Sequence, residues 1–416
     1  MQLPKYSIGV GDRFAHQGCA QLDAIILAHH EGVEIAPVWN KSHREHTIVG
    51  TCPADVRAEA EHAVRDRGWT GPYFVDADHI GLKTVEPFLE ACDFFTLDVA
   101  DCIGVDAGAG AVEQTVKRHE YLVGSLLVPG IDGPLQISRS VLSDAAKNYY
   151  AAIREAGRIH RSIKQAKNGR PVIIEVSMDE ADQPQTPTEL LLILAMVAEE
   201  GIPAQTIAPR FIGRFNKGVD YVGDVTEFHR QFEDNLAVVA MAIKEFHLPA
   251  HLKLSVHSGS DKFALYRPMH KALKKFDAGV HLKTAGTTWL EELIGLAGVG
   301  DNGLEIAKEV YKESWRRIDE LCGPYASVVD IDRNKLPSPE AVAGWDGNTF
   351  ASALRHDPAC DAYNPHLRQL LHVGYKVAAE MGHRYTVALE QHSQVIAANV
   401  TQNLYQRHIR PLFLGQ

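Results

Sequence analysis

LSVHSGSDKF, Leu254 to Phe263, is an apolar run that stops abruptly in a histidine, small turn residues, an acid and a lysine. The form recurs in VDADHIG (Val75 to Gly81), IIEVSMDE (Ile173 to Glu180) and HLKTAGTTW (His281 to Trp289), so several short β-type runs deliver reactive side chains to one place. Working outward, eight such runs are expected as strands: 6–11, 33–39, 72–77, 94–99, 172–177, 204–209, 252–257 and 279–285. Between them lie segments with apolar residues at three and four spacing, expected as helices at 17–30, 54–67, 84–92, 140–167, 187–200, 225–246 and 265–276. TPTELLLILAMVAEEG carries Thr186 as N-cap, Pro187 at the first helical position, Glu189 at the capping-box site and Gly201 as terminator. Eight βα repeats with near-continuous apolar strands predict an α/β fold, a closed (β/α)8 TIM-type barrel, because both faces of its strands are buried. An open doubly wound sheet is the alternative. Beyond Thr287 the chain reads as helical, interrupted by a Pro/Asp-rich interval at 330–348. The expected organisation is a catalytic barrel over 1–290 and a helical extension over 291–416 packed on it.

Composition narrows the partners. A chain of 416 residues, 45% hydrophobic and 23% charged, has the make-up of a globular protein with a large core. Its 42 basic and 53 acidic residues give a net charge of −11 with no dense Lys/Arg block, which argues against nucleic acid or an anionic membrane and favours a small-molecule substrate. No apolar stretch approaches the roughly 20 residues that cross a bilayer. The six cysteines form no CxxC pair, and MQLPKYSIGVGD lacks the features of a signal peptide, so a cytoplasmic protein with free thiols is expected. Oligomeric state is not legible.

In a (β/α)8 barrel the active site forms at the C-terminal strand ends. Those ends offer Asp12 and Arg13; Asn40 and Lys41; Asp76, Asp78 and His79; Asp98 and Asp101; Glu175, Ser177 and Asp179; Arg210; His257, Asp261 and Lys262; and Lys283 and Thr284. His79 alone could be a turn histidine satisfied by backbone. Glu175, inside VIIEVS, needs a cation nearby to offset desolvation. His79, Glu175 and His257 together make two imidazoles and a carboxylate with open positions, the donor set of a catalytic divalent metal such as Zn²⁺, Mn²⁺ or Ni²⁺. His281 is a weaker ligand candidate, early enough in its strand to be a core histidine. Lys262 and Lys283 could be ion-pair partners for the acids or, if burial depressed a pKa, a Schiff-base amine. Arg13 and Arg210 suit a substrate carboxylate or phosphate, or pairing with a neighbouring Asp. GVGD and GAGA fail the dinucleotide fingerprint and no GxxxxGK[ST] loop occurs, so neither NAD nor ATP is indicated.

The segments GVGDRF (9–14), FVDADHIG (74–81), FFTLDVADC (94–102), EVSMDEADQPQTPTEL (175–190), PRFIGRFNKGVDYVGD (209–224), LSVHSGSDKF (254–263), HLKTAGTTWLE (281–291) and RQLLHVGYK (368–376) resemble the tagaturonate epimerases over nearly the whole chain. Cys102 departs from the pattern, where members tend to have histidine. The resemblance implies interconversion of D-tagaturonate and D-fructuronate, 2-ketoses that differ at C4. That carbon is β to the ketone and its hydrogen is not acidified. Retro-aldol cleavage between C3 and C4, rotation of the aldehyde fragment and re-addition is the route these residues could support, with a metal stabilising the enediolate. VDADH and VHSGS are also similar to strand-end motifs of metal-dependent aldolases. The expected roles are His79, Glu175 and His257 as ligands, Asp78 as principal acid/base with Asp179 second, Arg210 on the substrate carboxylate, and Lys262 or Lys283 on the enediolate charge. Asp12, Arg13, Ser258, Asp261, Thr284 and His372 complete the expected substrate-binding set. Two rivals stay open: a metal-dependent aldolase or lyase that releases its fragments, and a sugar-acid binding protein without turnover.

Overall fold

The runs rich in Val, Ile and Phe form parallel strands that close on themselves. In the computed structural model, which describes residues 1–284 and 286–416, these are β1 (Tyr6–Gly11), β2 (Ile35–Ser42), β3 (Phe74–Ile80), β4 (Phe94–Asp98), β7 (Ile173–Ser177), β8 (Thr206–Ala208), β9 (Lys253–His257) and β10 (Val280–Lys283). A short antiparallel hairpin, β5 (Gly124–Leu126) and β6 (Leu135–Ile137), sits outside the barrel. The barrel order is β1-β10-β9-β8-β7-β4-β3-β2, each strand parallel to its neighbours, as the βα alternation requires. The expected eighth strand reached Ala285, which lies outside the described residues.

Period-two alternation sorts the side chains. Outward positions such as Ile8, Val75, Phe95, Leu97, Ile174, Val176, Leu254 and Val256 pack under the helices in one large apolar cluster. Inward positions begin with a small apolar plug of Leu3, Ala36, Val38, Phe74, Phe94 and Ile173. Higher up the same inner faces carry Asp76, Thr96, Glu175 and Lys283, all buried. β2 and β3 run further toward their polar ends than expected, to Ser42 and Ile80, so Asp78 and His79 belong to a strand and not to its following loop.

Most helices match expectation, including 139–166, 187–199 and 225–245. The expected helix at 84–92 is a single 3₁₀ turn, Glu86–Phe88. Two helices were not foreseen, His43–Val49 and Ala109–Arg118. The first carries a readable signal, a capping box in which Ser42 and Glu45 satisfy each other's backbone N–H. After β10 the chain is mainly helical to Leu414, apart from the interval around Asp330 and a stretch of turns at 355–364. Helix Thr287–Val299 and those up to residue 402 build a second apolar cluster that takes in Phe14 and Ala20. The last segment, Asn403–Leu414, returns to the barrel cluster through Leu404, Ile409, Leu412 and Phe413, and packs between helix 18–30 and helix 263–276. It thereby fills the place of the eighth barrel helix. All six cysteines are free, and among the described residues no helix is long and apolar enough to cross a membrane.

If the terminal segment closes the barrel wall, Leu412→Ala, at a fully buried position, lowers unfolding free energy by about 2–5 kcal/mol. Denaturant titration checks this, and a loss below about 0.5 kcal/mol would mean the segment is only a surface appendage.

Candidate active site

Lys283 crosses the barrel interior. Its ammonium lies 2.8 Å from Asp76 Oδ2, 2.8 Å from Asp78 Oδ1 and 3.0 Å from Glu175 Oε1, and donates to Thr96 Oγ1. Thr96 in turn donates toward both Asp76 and Glu175. Gly9 makes room for this side chain, since a Cβ there would stand 2.8 Å from Lys283 Cγ. Burial alone would depress the lysine, but Asp76, Asp78 and Glu175 outweigh it and hold it well above its ordinary value. Its three carboxylate partners fit the ion-pair role expected of it. Burial opposes ionisation of Asp78, yet Lys283 and His79 bring it down to about 2. Burial raises Asp76 to about 6 despite Lys283. Glu175 stays well below its usual value, because Lys283 and His257 overcome its burial.

Above this node stand two imidazoles and a carboxylate. His79, Asp179 and His257 each offer a ligand atom, and these atoms all lie within 4.8 Å of one another. His79 occupies the left-handed region, φ 50°, where the β3–β4 register shifts, and this re-aims its ring. The rings of His79 and His257 meet edge to face at 5.2 Å. His257 Nε2 donates to Glu175 at 2.8 Å and its Nδ1 faces Asp179 Oδ2 at 3.1 Å. His79 Nδ1 donates to Asp98 at 3.3 Å. Burial works against protonation of both rings. Asp179 and Glu175 nevertheless lift His257 to about 9, and Asp78 and Asp179 lift His79 well above its ordinary value. Asp179 is held down by His257 and His79 against its own burial. Glu175 lies deeper than this trio, linking His257 to Lys283, with its second oxygen unpartnered.

The node and the trio open into a cavity of about 270 Å³ at the C-terminal strand ends, lined among others by Asp78, His79, Asp179, His257 and Lys283. Arg13, Arg210 and His372 also line it. Arg210 donates through Nη1 to the Ala181 carbonyl, and its backbone N–H is taken by Gln185. His372 presents a buried Nε2 without a partner, in a space kept open by Gly286, and its burial holds it well below the ordinary value.

The other expected residues do not reach the cavity. Asp12 accepts the backbone N–H groups of Phe14, Ala15, His16 and Gln17 and so shapes the loop that carries Arg13. Ser258 donates to the Lys283 carbonyl at 2.6 Å, and Thr284 to the Gly9 carbonyl at 3.2 Å. His281 is fully buried one alternate position below Lys283, bonded to Ser7 and brought down to about 3 by burial. The chain reverses at Gly259, φ 65°, and turns Asp261 and Lys262 away. Lys262 donates to the carbonyls of Asn216 and Asp261 and to Ser260. Asp261 is fully buried against Arg368 at 2.7 Å, His356 at 3.0 Å, His408 at 3.3 Å and Thr287 at 3.0 Å. It ties the β9 loop to the C-terminal helices.

Arg44, Lys217, Tyr325 and Tyr375 line the cavity without having been foreseen. Tyr325 and Tyr375 come from the C-terminal helices; Tyr375 falls in the quoted segment RQLLHVGYK without having been singled out, and no local motif marks Tyr325.

Fold and cavity are those of a (β/α)8 barrel protein with a candidate active centre at its C-terminal strand ends. The model of the family UxaE, tagaturonate epimerase, matches residues 1–410. The tagaturonate/fructuronate epimerase of Thermotoga maritima is 27% identical over 422 residues, taking in 97% of this chain and 80% of that protein. Crystal structures of fructuronate-tagaturonate epimerase from Cohnella laeviribosi share the fold. The form with two glycerols has a TM-score of 0.82 at 24% identity, covering 99% of this chain and 83% of that one. The native form scores 0.79 at 23% identity, covering 98% and 81%. The chain belongs to the tagaturonate epimerase family and is an epimerase, of the isomerase class.

The Lys283 node has a pH signature. In the wild type Asp78 and Glu175 are depressed, so their contribution is present at neutral pH and lost only in strong acid. In Lys283→Met, buried carboxylates face each other uncompensated, and protonation relieves them as pH falls. The substitution should cost about 3–5 kcal/mol at pH 8 and clearly less at pH 5.5, measured by denaturant unfolding. An equal cost at both values would contradict the ion-pair reading.

Proposed function

We propose that this chain interconverts D-tagaturonate and D-fructuronate at C4 by breaking the C3–C4 bond and re-forming it on the other face of the aldehyde. The observation that carries the reading is that His79, Asp179 and His257 line the same cavity as Asp78, which lies 2.8 Å from the Lys283 ammonium. The family and the name of the Thermotoga maritima relative support the substrate pair.

The trio fits a divalent cation: two imidazoles and one carboxylate with positions left over for substrate oxygens, a donor set that accepts Zn²⁺, Mn²⁺ or Ni²⁺. Asp179 takes the place expected of Glu175, which orients His257 from behind. An ion bound there would polarise the C2 ketone and C3 hydroxyl oxygens and stabilise the enediolate charge. Asp78 accepts the C4 hydroxyl proton as the C3–C4 electron pair passes to the three-carbon ketone fragment, and C4 becomes an aldehyde. The aldehyde turns about C4–C5, C3 attacks its opposite face, and Asp78 returns the proton to the C4 oxygen. Lys283 keeps Asp78 ionised between these events. Of the two arginines expected on the substrate carboxylate, Arg13 lines the cavity with free donors, whereas Arg210 spends its Nη1 on the Ala181 carbonyl.

Protein stripped of metal should lose epimerase activity and regain it with Mn²⁺, Zn²⁺ or Ni²⁺, and full activity after rigorous stripping would sink the metal assignment. With D-fructuronate deuterated at C4, the label should remain in the D-tagaturonate formed; washout to solvent would exclude C3–C4 cleavage. Accumulation of a three-carbon aldehyde and ketone would instead make the protein a lyase. Asp78→Asn should retain bound metal and lose turnover by about 10²–10⁴-fold; normal turnover would remove Asp78 from the acid/base role.

A further inference from the structure

Resting on the epimerase reading, we propose that the substrate carboxylate is held by Arg13, Arg44 and Lys217 in a cationic box braced by Tyr325 and Tyr375. The C-terminal helical part of the chain thereby tells a ketohexuronate from a neutral ketohexose. The three cations arrive from separate barrel loops: Arg13 after β1, Arg44 in the short helix after β2, and Lys217 in the loop after β8. The two tyrosines arrive from the other direction and gather them. The Arg13 guanidinium carbon lies 4.4 Å from the centre of the Tyr375 ring. Arg44 lies 5.5 Å, and the Lys217 ammonium 5.9 Å, from the centre of the Tyr325 ring. The tyrosine hydroxyls are 3.2 Å apart, which joins the two halves. The Lys217 amide also donates to the Val328 carbonyl at 2.7 Å, fastening its loop to the same segment.

The geometry points to an anion because ring faces hold cations in place without using their N–H donors. Arg13 shows this most clearly. It is 6% exposed, and its Nε and Nη1 are buried with no hydrogen-bond partner. Glu45 Oε1 lies 3.3 Å from that Nε but out of line for a bond, while Oε2 is engaged by the backbone N–H and hydroxyl of Ser42. A buried guanidinium with two orphaned nitrogens is costly unless a ligand supplies acceptors, and a carboxylate is the planar partner its fork matches. Glu45 and Glu180 also line this cavity and set a limit on how many negative charges it accepts. Arg210 and Arg214 are less available: the first donates to the Ala181 carbonyl, and the second faces Asp330 at 3.6 Å on the outside.

The test is steady-state kinetics on D-fructuronate with the metal-loaded enzyme. Arg44→Met and Lys217→Met should each raise KM about tenfold, the equivalent of about 1.4 kcal/mol of binding, while kcat and metal content hold. Arg210→Met should leave KM within about threefold. Tyr325→Leu should raise KM, and Tyr325→Phe, which keeps the ring face, should restore it. Unchanged KM in Arg44→Met and Lys217→Met, or a raised KM in Arg210→Met alone, overturns the box and leaves the epimerase reading standing. Wild-type protein that does not epimerise D-fructuronate overturns the reading itself. Because Arg44 and Lys217 are not core residues, their variants keep the test open even if Arg13→Met fails to fold.

Discussion

A single ammonium inside the barrel is the constraint on which the rest of the site depends. Three carboxylates, Asp76, Asp78 and Glu175, converge inside the barrel, and Lys283 pairs with all of them while His257 shares Glu175. Gly9 must be small so that the lysine can cross, and Thr96 must be polar to share its protons. The inner face of the barrel changes from the plug of Phe74, Phe94 and Ile173 to this polar node within one alternate residue of each strand. Lys283 holds Asp78 and shares Glu175 with His257, so it ties the carboxylate at the cavity wall to the neighbouring imidazole.

The barrel was legible because alternation and burial act along a strand, within reach of a local reading. VDADHI and IIEVS carry outward Val, Ala and Ile against inward Asp and Glu, and they fold accordingly. Of the expected site residues on the strands, Asp78, His79, His257 and Lys283 reach the cavity, while Glu175 and His281 lie beneath it. Of the residues a few positions beyond a strand, Arg13, Asp179 and Arg210 reach it, whereas Asp261 and Lys262 do not. Past Gly259 the direction of the chain is set by a left-handed turn, so Asp261 and Lys262 face the C-terminal helices although they neighbour His257 in sequence. Asp179 and Glu175 exchanged emphasis for a related reason: depth in the barrel, not chemical type, decides which carboxylate can join His79.

The part that sequence could not disclose is contributed at long range. Tyr325 and Tyr375 meet Arg44, Lys217 and Arg13 only after the chain has completed the barrel, built a second apolar cluster and come back over the strand ends. Buried Asp261, bonded to Arg368, His356 and His408, fastens that return. The terminal segment then supplies the eighth wall of the barrel. Barrel and C-terminal helices are thus packed into one another: the first supplies the floor of the cavity and the second its roof.

The measurement that bears most directly on this account is anomalous diffraction from crystals of the protein loaded with Mn²⁺. The account predicts one strong peak bounded by His79, Asp179 and His257, with Lys283 still on Asp78 and Glu175. A peak elsewhere, or none with these three side chains unchanged, would contradict it.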